Sequence, residues 1–257
     1  MKILVTFAVE AEFAPWRKSR GFVARKLGNV PIYTAEIGAT SVGVILTGMG
    51  PVNARRAVEA ALAIEHSACI SSGFAGALRA EYEVADLLVA GAVRRRGQAE
   101  TIPCDARLVE DALRANGVAE VNCFVSVENI AESLEEKASL AKFGEAVEME
   151  SYAVLSVAAE RKVPAVAIRA ISDRFDQKLP MDFSGSIDEC GHVMKGKLAR
   201  QIASDPSKIP ALIRLGKQSS AAANRLAEFL ENYIERLSAQ DNGEAARFEK
   251  WRTASRL

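Results

Sequence analysis

Short apolar runs separated by longer amphipathic stretches make up the first two thirds of the chain. A strand that is covered on both faces needs apolar residues on both sides, so an uninterrupted run of Val, Ile, Leu and Ala predicts a buried strand. Largely apolar segments that predict strands occupy residues 3–8, 42–46, 68–72, 86–93, 121–127 and 164–171. Segments 22–27 and 31–37 alternate instead, and the Leu27-Gly28-Asn29 sequence between them predicts a turn.

Helices are predicted between most of these strands. The first begins near Glu10. Pro51 fits the first turn of the second, which continues over 52–64. The remaining helical stretches are 106–115, 131–142 and 151–161. Strands that alternate with helices indicate an α/β layered fold.

The pattern changes after about residue 205. Pro206 and Pro210 interrupt the chain, and apolar residues then follow helical spacing. This stripe consists of Leu226, Phe229, Leu230, Tyr233, Ile234 and Leu237. Residues 239–257 lose the periodicity, so we expect a frayed or disordered tail there. The sequence therefore predicts a domain over 1–205, a helical extension over 206–238 that packs on it, and the tail.

Composition narrows the class of protein. The 257 residues are 49% hydrophobic, which is enough for a core without disulfides, and 33 basic residues balance 33 acidic ones. Zero formal charge argues against nucleic-acid binding, and no run reaches the ~18–20 apolar residues of a membrane span. Four scattered cysteines, two histidines and no CxxC motif argue against a metal site. We expect a cytoplasmic protein with no metal and no cofactor.

Three acidic positions are candidates for chemistry. Glu12 follows the first predicted strand, Asp173 follows the last, and Glu150 lies in the segment 147–150. In α/β folds, ligands bind beyond the carboxyl ends of strands. A partly desolvated carboxyl group such as that of Asp173 suits a general acid. An alternative stays open for each of two acids. Asp173 is then a helix N-cap or an ion-pair partner of Arg169 or Arg174, and Glu12 is a first-turn residue favoured by the helix dipole. Of Glu148 and Glu150, we expect one to enter the pocket while the other stays solvated.

Four segments resemble the nucleoside phosphorylase superfamily, specifically its 5′-methylthioadenosine/S-adenosylhomocysteine nucleosidases. They are the opening MKILVTFAVEAEF, TGMGPVNA at 47–54, SGFAG at 72–76, and VEMES at 147–151 followed by RAISD at 169–173. The resemblance covers roughly residues 1–200 in order. It implies a three-layer sandwich in which helices flank a central mixed, twisted β-sheet, together with a nucleoside substrate and a homodimer.

The resemblance also implies a role for each acid. Asp173 is expected to protonate the purine N7, Glu150 to bind the ribose hydroxyls, and Glu12 to deprotonate the attacking water. Met149 is expected to pack on the ribose, with core filling as the alternative, and Ser172 to orient Asp173, with turn filling as the alternative. The remaining expected binding residues are Met49, Gly73, Phe74 and Ile130.

Hydrolysis is favoured over phosphorolysis by what the motifs lack. Phosphorylases of this superfamily carry one arginine in the first loop and another just before the third-strand glycine. In this chain the first loop, residues 7–12, contains no arginine, and the second position falls at Ser71 or Ser72. We expect hydrolysis of 5′-substituted adenosines with release of adenine. The run Arg94-Arg95-Arg96 is the counter-candidate for phosphate, and a non-catalytic nucleoside-binding module is a further alternative.

Several features depart from the nucleosidase pattern. Phe74 replaces a small polar residue, Ile130 falls where an aromatic ring is usual, and the short segment 93–104 leaves the 5′ side open. Segments 179–180, 187–191 and 209–215 resemble the hopanoid-associated branch, which is linked to removal of adenine from an adenosyl-hopane lipid. Alternatively, residues 207–237 cap the domain or a dimer interface. Peripheral membrane contact through the C-terminal helix stays open.

Overall fold

A computed structural model describes residues 1–28, 30–115, 117–180, 188 and 194–254. The strands are β1 Lys2–Phe7, β2 Val23–Leu27, β3 Val30–Ile37, β4 Thr40–Leu46, β5 Ala68–Ala77, β6 Leu87–Arg95, β7 Thr101–Pro103, β8 Ala119–Ser126, β9 Ala146–Glu148 and β10 Ala165–Asp173. The helices are α1 Glu10–Arg20, α2 Pro51–Ala61, α3 Ala106–Arg114, α4 Leu134–Leu140, α5 Ser151–Glu160, α6 Lys195–Ser204 and α7 Ile209–Ala254, with a short 3-10 helix at Pro206–Lys208.

The strands of the described chain form a single mixed sheet of ten strands. Strands β4, β1, β5 and β10 run parallel as neighbours, and β2 and β3 extend the sheet in antiparallel fashion beyond β4. At the other side, β5, β10, β6, β8 and β9 pair in a closed ring. Because β4, β1, β5 and β10 are parallel, their carboxyl ends meet at one edge, where a ligand site is expected.

The α/β fold with a central mixed sheet flanked by helices is confirmed. The long apolar runs became the strands of the sheet, because residues buried on both faces must be apolar throughout. Two short strands, β7 and β9, escaped the sequence pattern, since three residues are too few to show a period. The short strand β9 matters because it carries Glu148.

Helix α7 packs on the same hydrophobic core as the sheet. Its apolar stripe from Leu226 to Leu237 is buried there, and the Tyr233 hydroxyl donates a hydrogen bond of 2.8 Å to the Leu108 carbonyl oxygen. Trp16 Nε1 donates to Glu231 Oε2 at 2.8 Å, which ties α7 to α1. The helix continues to Ala254 and so includes residues 239–254, for which the sequence indicated a frayed or disordered tail.

Two further expectations concern a membrane span and the segment 187–191. In the described residues, no helix is long and apolar enough to cross a membrane. Of segment 187–191, one of those that resemble the hopanoid-associated branch, only residue 188 belongs to the described residues.

Candidate active site

A cavity of about 220 Å³ opens at the edge of the sheet where the parallel strands end. Eight of the nine residues expected to form the site line it, namely Glu12, Met49, Phe74, Ile130, Met149, Glu150, Ser172 and Asp173. Gly73, the ninth, lies behind Glu12 instead. Residues from the first, second, third and last motifs, which are far apart in the sequence, therefore meet at one cavity.

Glu12 lies in the first turn of α1, directly after β1. Its Oε2 accepts hydrogen bonds from the backbone N–H groups of Ala8 at 2.8 Å and Val9 at 3.1 Å, and its Oε1 accepts one from Phe74 N–H at 2.9 Å. Burial raises the pKa of this carboxyl group, and the lowering effect of these N–H donors and of the Arg169 charge does not cancel that shift. Glu12 is therefore both a first-turn residue and part of the cavity wall.

Two glycines of β5 leave room for two of the carboxyl groups. A Cβ atom on Gly73, whose φ is +139°, would stand 2.7 Å from Glu12 Oε1. A Cβ atom on Gly76 would stand 2.9 Å from Asp173 Oδ2. Both distances are too short for real contacts, so the SGFAG segment needs glycine where it does because side chains from elsewhere occupy the space.

Glu148 forms a buried network under the cavity. It accepts hydrogen bonds from Arg169 Nη2 at 2.6 Å, from Ser151 N–H at 2.7 Å and from the Ser126 hydroxyl. Burial alone raises the pKa of a carboxyl group, but the charge and hydrogen bond of Arg169 outweigh it and hold the pKa of Glu148 below its usual value. Glu148 is thus held as a carboxylate paired with Arg169.

Glu150 is the N-cap residue of helix α5, two residues after Glu148. Its Oε1 accepts a hydrogen bond of 2.8 Å from Gly50 N–H, which links the 147–151 motif to the 47–54 motif. Burial and the neighbouring charge of Glu148 raise the pKa of Glu150 to about 8. This shift favours the protonated form of the group near neutral pH. A neutral carboxyl group still donates one hydrogen bond and accepts others.

The expectation that either Glu148 or Glu150 stays solvated is wrong, because both are buried. The sequence spacing alone does not show that Arg169 lies beneath both groups. Arg169 compensates the charge of Glu148 at 2.6 Å and lies 3.9 Å from Glu150 Oε2. One cation thus allows two carboxyl groups to be buried side by side.

Asp173 ends β10 at the cavity. The Ser172 hydroxyl donates to Asp173 Oδ1 at 2.8 Å, and Lys137 Nζ donates to Asp173 Oδ2 at 2.5 Å. The alternative pairing of Asp173 with Arg169 or Arg174 is wrong. Arg169 is used by Glu148, and Arg174 pairs on the surface with Glu83 and Asp176.

Sequence reasoning missed some of the residues at this site. Lys137 is three residues from both Leu134 and Leu140, so it lies on the same helix face as these two apolar residues. This pattern indicates burial. Leu179, Leu215 and Ser219 also line the cavity, the last two from α7. The pattern of α7 indicated packing but could not indicate which turns reach the cavity.

The cavity wall, as far as the described residues form it, is rich in acidic side chains. Among the described residues that line it, none is Lys or Arg, whereas four carry carboxyl groups, namely Glu12, Glu148, Glu150 and Asp173. Arg95, from the arginine run considered as a phosphate site, lines neighbouring cavities and pairs with Glu128. The cavity thus offers proton donors and acceptors around an apolar wall, a combination that suits a neutral or cationic reacting group.

Comparison with known proteins gives one matching family model and several solved structures of similar fold. A family model described as "Phosphorylase superfamily" matches residues 2–203. A 5′-methylthioadenosine/S-adenosyl homocysteine nucleosidase from Campylobacter jejuni is 19% identical, with a TM-score of 0.71 over 92% of this chain and 99% of that one.

Two further solved structures resemble it to a similar degree. A futalosine hydrolase mutant from Helicobacter pylori is 20% identical, with a TM-score of 0.69 over 91% of this chain and 99% of that one. A nucleosidase of the first kind from S. pneumoniae is 18% identical, with a TM-score of 0.68 over 92% of this chain and 100% of that one. At these identities the likeness establishes a shared fold.

Proposed function

Because the chain belongs to the phosphorylase superfamily, we propose that it hydrolyses the N-glycosidic bond of 5′-substituted adenosines and releases adenine. The observation that carries this proposal is the meeting of Glu12, Glu150 and Asp173 at one cavity. Cleavage of this bond develops positive charge on the ribose, and carboxyl groups around C1′ stabilise that charge.

Asp173 acts in this proposal as the general acid. Its proton passes to N7 of the adenine while the bond from C1′ to N9 breaks, so the base leaves as a neutral molecule. The Ser172 hydroxyl holds Asp173 Oδ1 and so orients the carboxyl group. The absence of a side chain at Gly76 leaves room for the same group beside β5.

Glu12 and Glu150 act on the ribose side. Glu12 accepts a proton from the water that attacks C1′, and its raised pKa makes it a stronger base near neutral pH. Glu150 hydrogen-bonds the ribose hydroxyls, and its Oε1 stays fixed by Gly50 N–H. Met149 and Phe74 supply apolar wall for the ribose and the base.

Water rather than phosphate is the proposed nucleophile. A phosphate dianion needs cationic groups near C1′, and the described residues that line the cavity include no Lys or Arg. Arg169, buried beneath the cavity, is neutralised by Glu148. Carboxylates at the nucleophile side repel phosphate and activate water.

Incubation with a panel of nucleosides tests the proposal. The panel contains 5′-methylthioadenosine, S-adenosylhomocysteine, 5′-deoxyadenosine and futalosine, with chromatography for the free base, each with and without phosphate. We expect release of adenine and a free sugar without phosphate, with at least about 100-fold loss in Asp173→Asn. Phosphate-dependent formation of a sugar 1-phosphate would make the protein a phosphorylase. Tight nucleoside binding without turnover would make it a binding module.

A large apolar 5′ group is a second candidate for the substrate. Leu179 from the loop after β10 and Leu215 from α7 line the cavity beside its polar residues. This apolar side suits a 5′ substituent such as the hopane of adenosyl-hopane. Turnover of adenosyl-hopane at a kcat/KM at least tenfold above that of methylthioadenosine would select this candidate, and the reverse preference would remove it.

We also propose that the protein is a homodimer. Val52 on α2 is 78% exposed, so this apolar side chain is open to contact with a second copy of the chain. It lines a second cavity of about 530 Å³ that shares Met49 and Val127 with the first. A Val52→Asp variant that becomes monomeric in light scattering supports this interface. A wild-type protein that is monomeric at micromolar concentration contradicts it.

A further inference from the structure

Lys137 of helix α4 is a buried lysine that contacts Asp173, the general acid of the proposed reaction. Its side chain is 1% exposed. Its Nζ lies 2.5 Å from Asp173 Oδ2, 2.6 Å from the Arg174 carbonyl oxygen and 3.2 Å from the Gln177 carbonyl oxygen. An ammonium group has three N–H donors, so these three acceptors account for all of them.

This arrangement places a full positive charge against one oxygen of Asp173. Burying a lysine is costly unless it is paired and hydrogen-bonded, and here the pair is the group that would protonate the substrate. The two carbonyl oxygens hold the ammonium group in place, so it does not depend on Asp173 alone for its position. Asp173 Oδ1 stays with Ser172.

We propose that Lys137 is a positioning residue for Asp173 that also stabilises the carboxylate formed when Asp173 gives up its proton. This inference rests on the proposed N-glycosidase function. It adds a partner from α4, a helix that contributes no residue to the motifs at 47–54, 72–76, 147–151 or 169–173.

The proton balance of the reaction explains why a cation is useful at this position. The proton on Asp173 moves to N7, and the electron pair of the C1′–N9 bond stays with the base. Water bonds to C1′ and gives a proton to Glu12. Asp173 is then an anion next to the ammonium of Lys137, which is favourable at short range in a buried site. Glu12 loses its proton to solvent and Asp173 regains one before the next turnover.

The same charge has a second consequence for the pH dependence. A nearby cation favours the ionised form of a carboxyl group over the neutral form. A reaction that needs the neutral acid is therefore expected to begin its alkaline loss of activity at a lower pH when the cation is present. Removal of the cation moves the alkaline limb of the pH–rate profile to higher pH and lowers the rate at the optimum.

Other charged groups face this pair from several elements. Arg169 and Glu148 neutralise each other beneath the cavity, and Arg174 pairs with Asp176 on the surface beyond the two carbonyl oxygens. The remaining charged or titratable groups of the cavity are Glu12 and Glu150. These groups are unchanged in a Lys137 variant, so a shift of the alkaline limb reports the loss of the one charge.

The test measures kcat against pH for adenine release from the best nucleoside of the panel, in the wild type, Lys137→Met and Lys137→Gln. We expect roughly 10- to 100-fold loss of kcat at the optimum and an alkaline limb about one pH unit higher in both variants. Lys142→Met, a change at an exposed lysine just after α4, is the control and keeps both values.

The position of the limb does not depend on how much of a preparation is folded. A variant that folds poorly therefore still gives a readable result, and Lys137→Gln provides a second, polar replacement without the charge if Met does not fold. A loss of kcat with an unmoved alkaline limb in both variants would overturn the proposal and leave Lys137 with a structural role alone. A wild type that cleaves no nucleoside would instead remove the proposed function, and this inference with it.

Discussion

Glu12 Oε1 lies only 2.7 Å from the position that a Cβ atom on Gly73 would occupy. The same oxygen accepts a hydrogen bond of 2.9 Å from Phe74 N–H, the next residue along β5. A glycine in the third motif thus makes room for an acid in the first, across 61 residues of sequence. The two motifs form one structural unit, although each looks independent in the sequence.

Replacement of Gly73 by alanine is expected to displace the Glu12 carboxylate and lower kcat by about 100-fold or more. The reason is the contact with Glu12, together with the strain of a side chain at φ +139°. Adenine release from the best substrate measures the effect. Gly97→Ala is the matched control, because Gly97 also has positive φ (+81°) but its Cβ would meet nothing within 4 Å. Equal losses in both variants would assign the effect to backbone strain.

The raised pKa of Glu150 predicts that the protein loses stability as pH rises. The carboxyl group titrates near 4.5 in the unfolded chain and at about 8 in the folded one. Between these values the folded chain holds more protons than the unfolded chain, so the free energy of unfolding falls with increasing pH. Below pH 4.5 both states are protonated and the contribution is constant.

Glu150→Gln removes this dependence because the amide stays neutral at every pH. We expect its melting temperature to exceed that of the wild type by roughly 3 °C or more at pH 8, and the two to converge near pH 4.5. Calorimetry at several pH values measures the difference. Glu120→Gln, at an exposed carboxylate, is the control. A Glu150→Gln difference that stays the same from pH 4.5 to 8 would contradict the prediction.

Helix α7 is expected to unfold together with the sheet rather than as a separate unit. Leu230 is fully buried in the common core, so Leu230→Ala should lower the free energy of unfolding by about 2–5 kcal/mol. Ile213 on the same helix is 56% exposed, and Ile213→Ala should cost less than about 0.5 kcal/mol. Urea unfolding measures both. A separate early transition in Leu230→Ala would show that the helical extension is independent of the domain over 1–205.

Leu215 is expected to contribute to binding of an apolar 5′ group. It lines the cavity from α7 and is only partly buried, so truncation removes contact area without opening the core. Leu215→Ala should raise KM about tenfold for a substrate with a large apolar 5′ group, while KM for 5′-deoxyadenosine stays within twofold. Ile213→Ala serves as the control, because Ile213 lies two residues earlier on α7 and is exposed. Equal KM changes for both substrates would place Leu215 at the base or ribose instead.

Much of the architecture follows from local pattern. The apolar runs at 42–46 and 68–72 became β4 and β5, because a strand covered on both faces has no polar side. The parallel pairing of these strands with β1 then brings their carboxyl ends together. That geometry is why the acids at 12, 150 and 173 were expected at one place, and they do line one cavity.

The pairing of charges did not follow from pattern. Sequence reasoning offered Arg169 or Arg174 as partners of Asp173, because they lie nearby in the chain. The structure pairs Asp173 with Lys137, 36 residues away, and Arg169 with Glu148, 21 residues away. Helix α4 has to be oriented on the loop after β10 before Lys137 reaches the acid, and no local period encodes that orientation.

The pattern along the chain predicted most of the strands and helices in their order, the glycine and acidic motifs, and the apolar stripe of α7. These features depend on backbone geometry, which repeats every two or 3.6 residues and so leaves a trace in the sequence. The folded chain was needed to show that Glu148 and Glu150 are both buried, that Lys137 contacts Asp173, and that α7 supplies Leu215 to the cavity. Those contacts join distant segments through space, where the energy depends on distance and burial rather than on position in the chain.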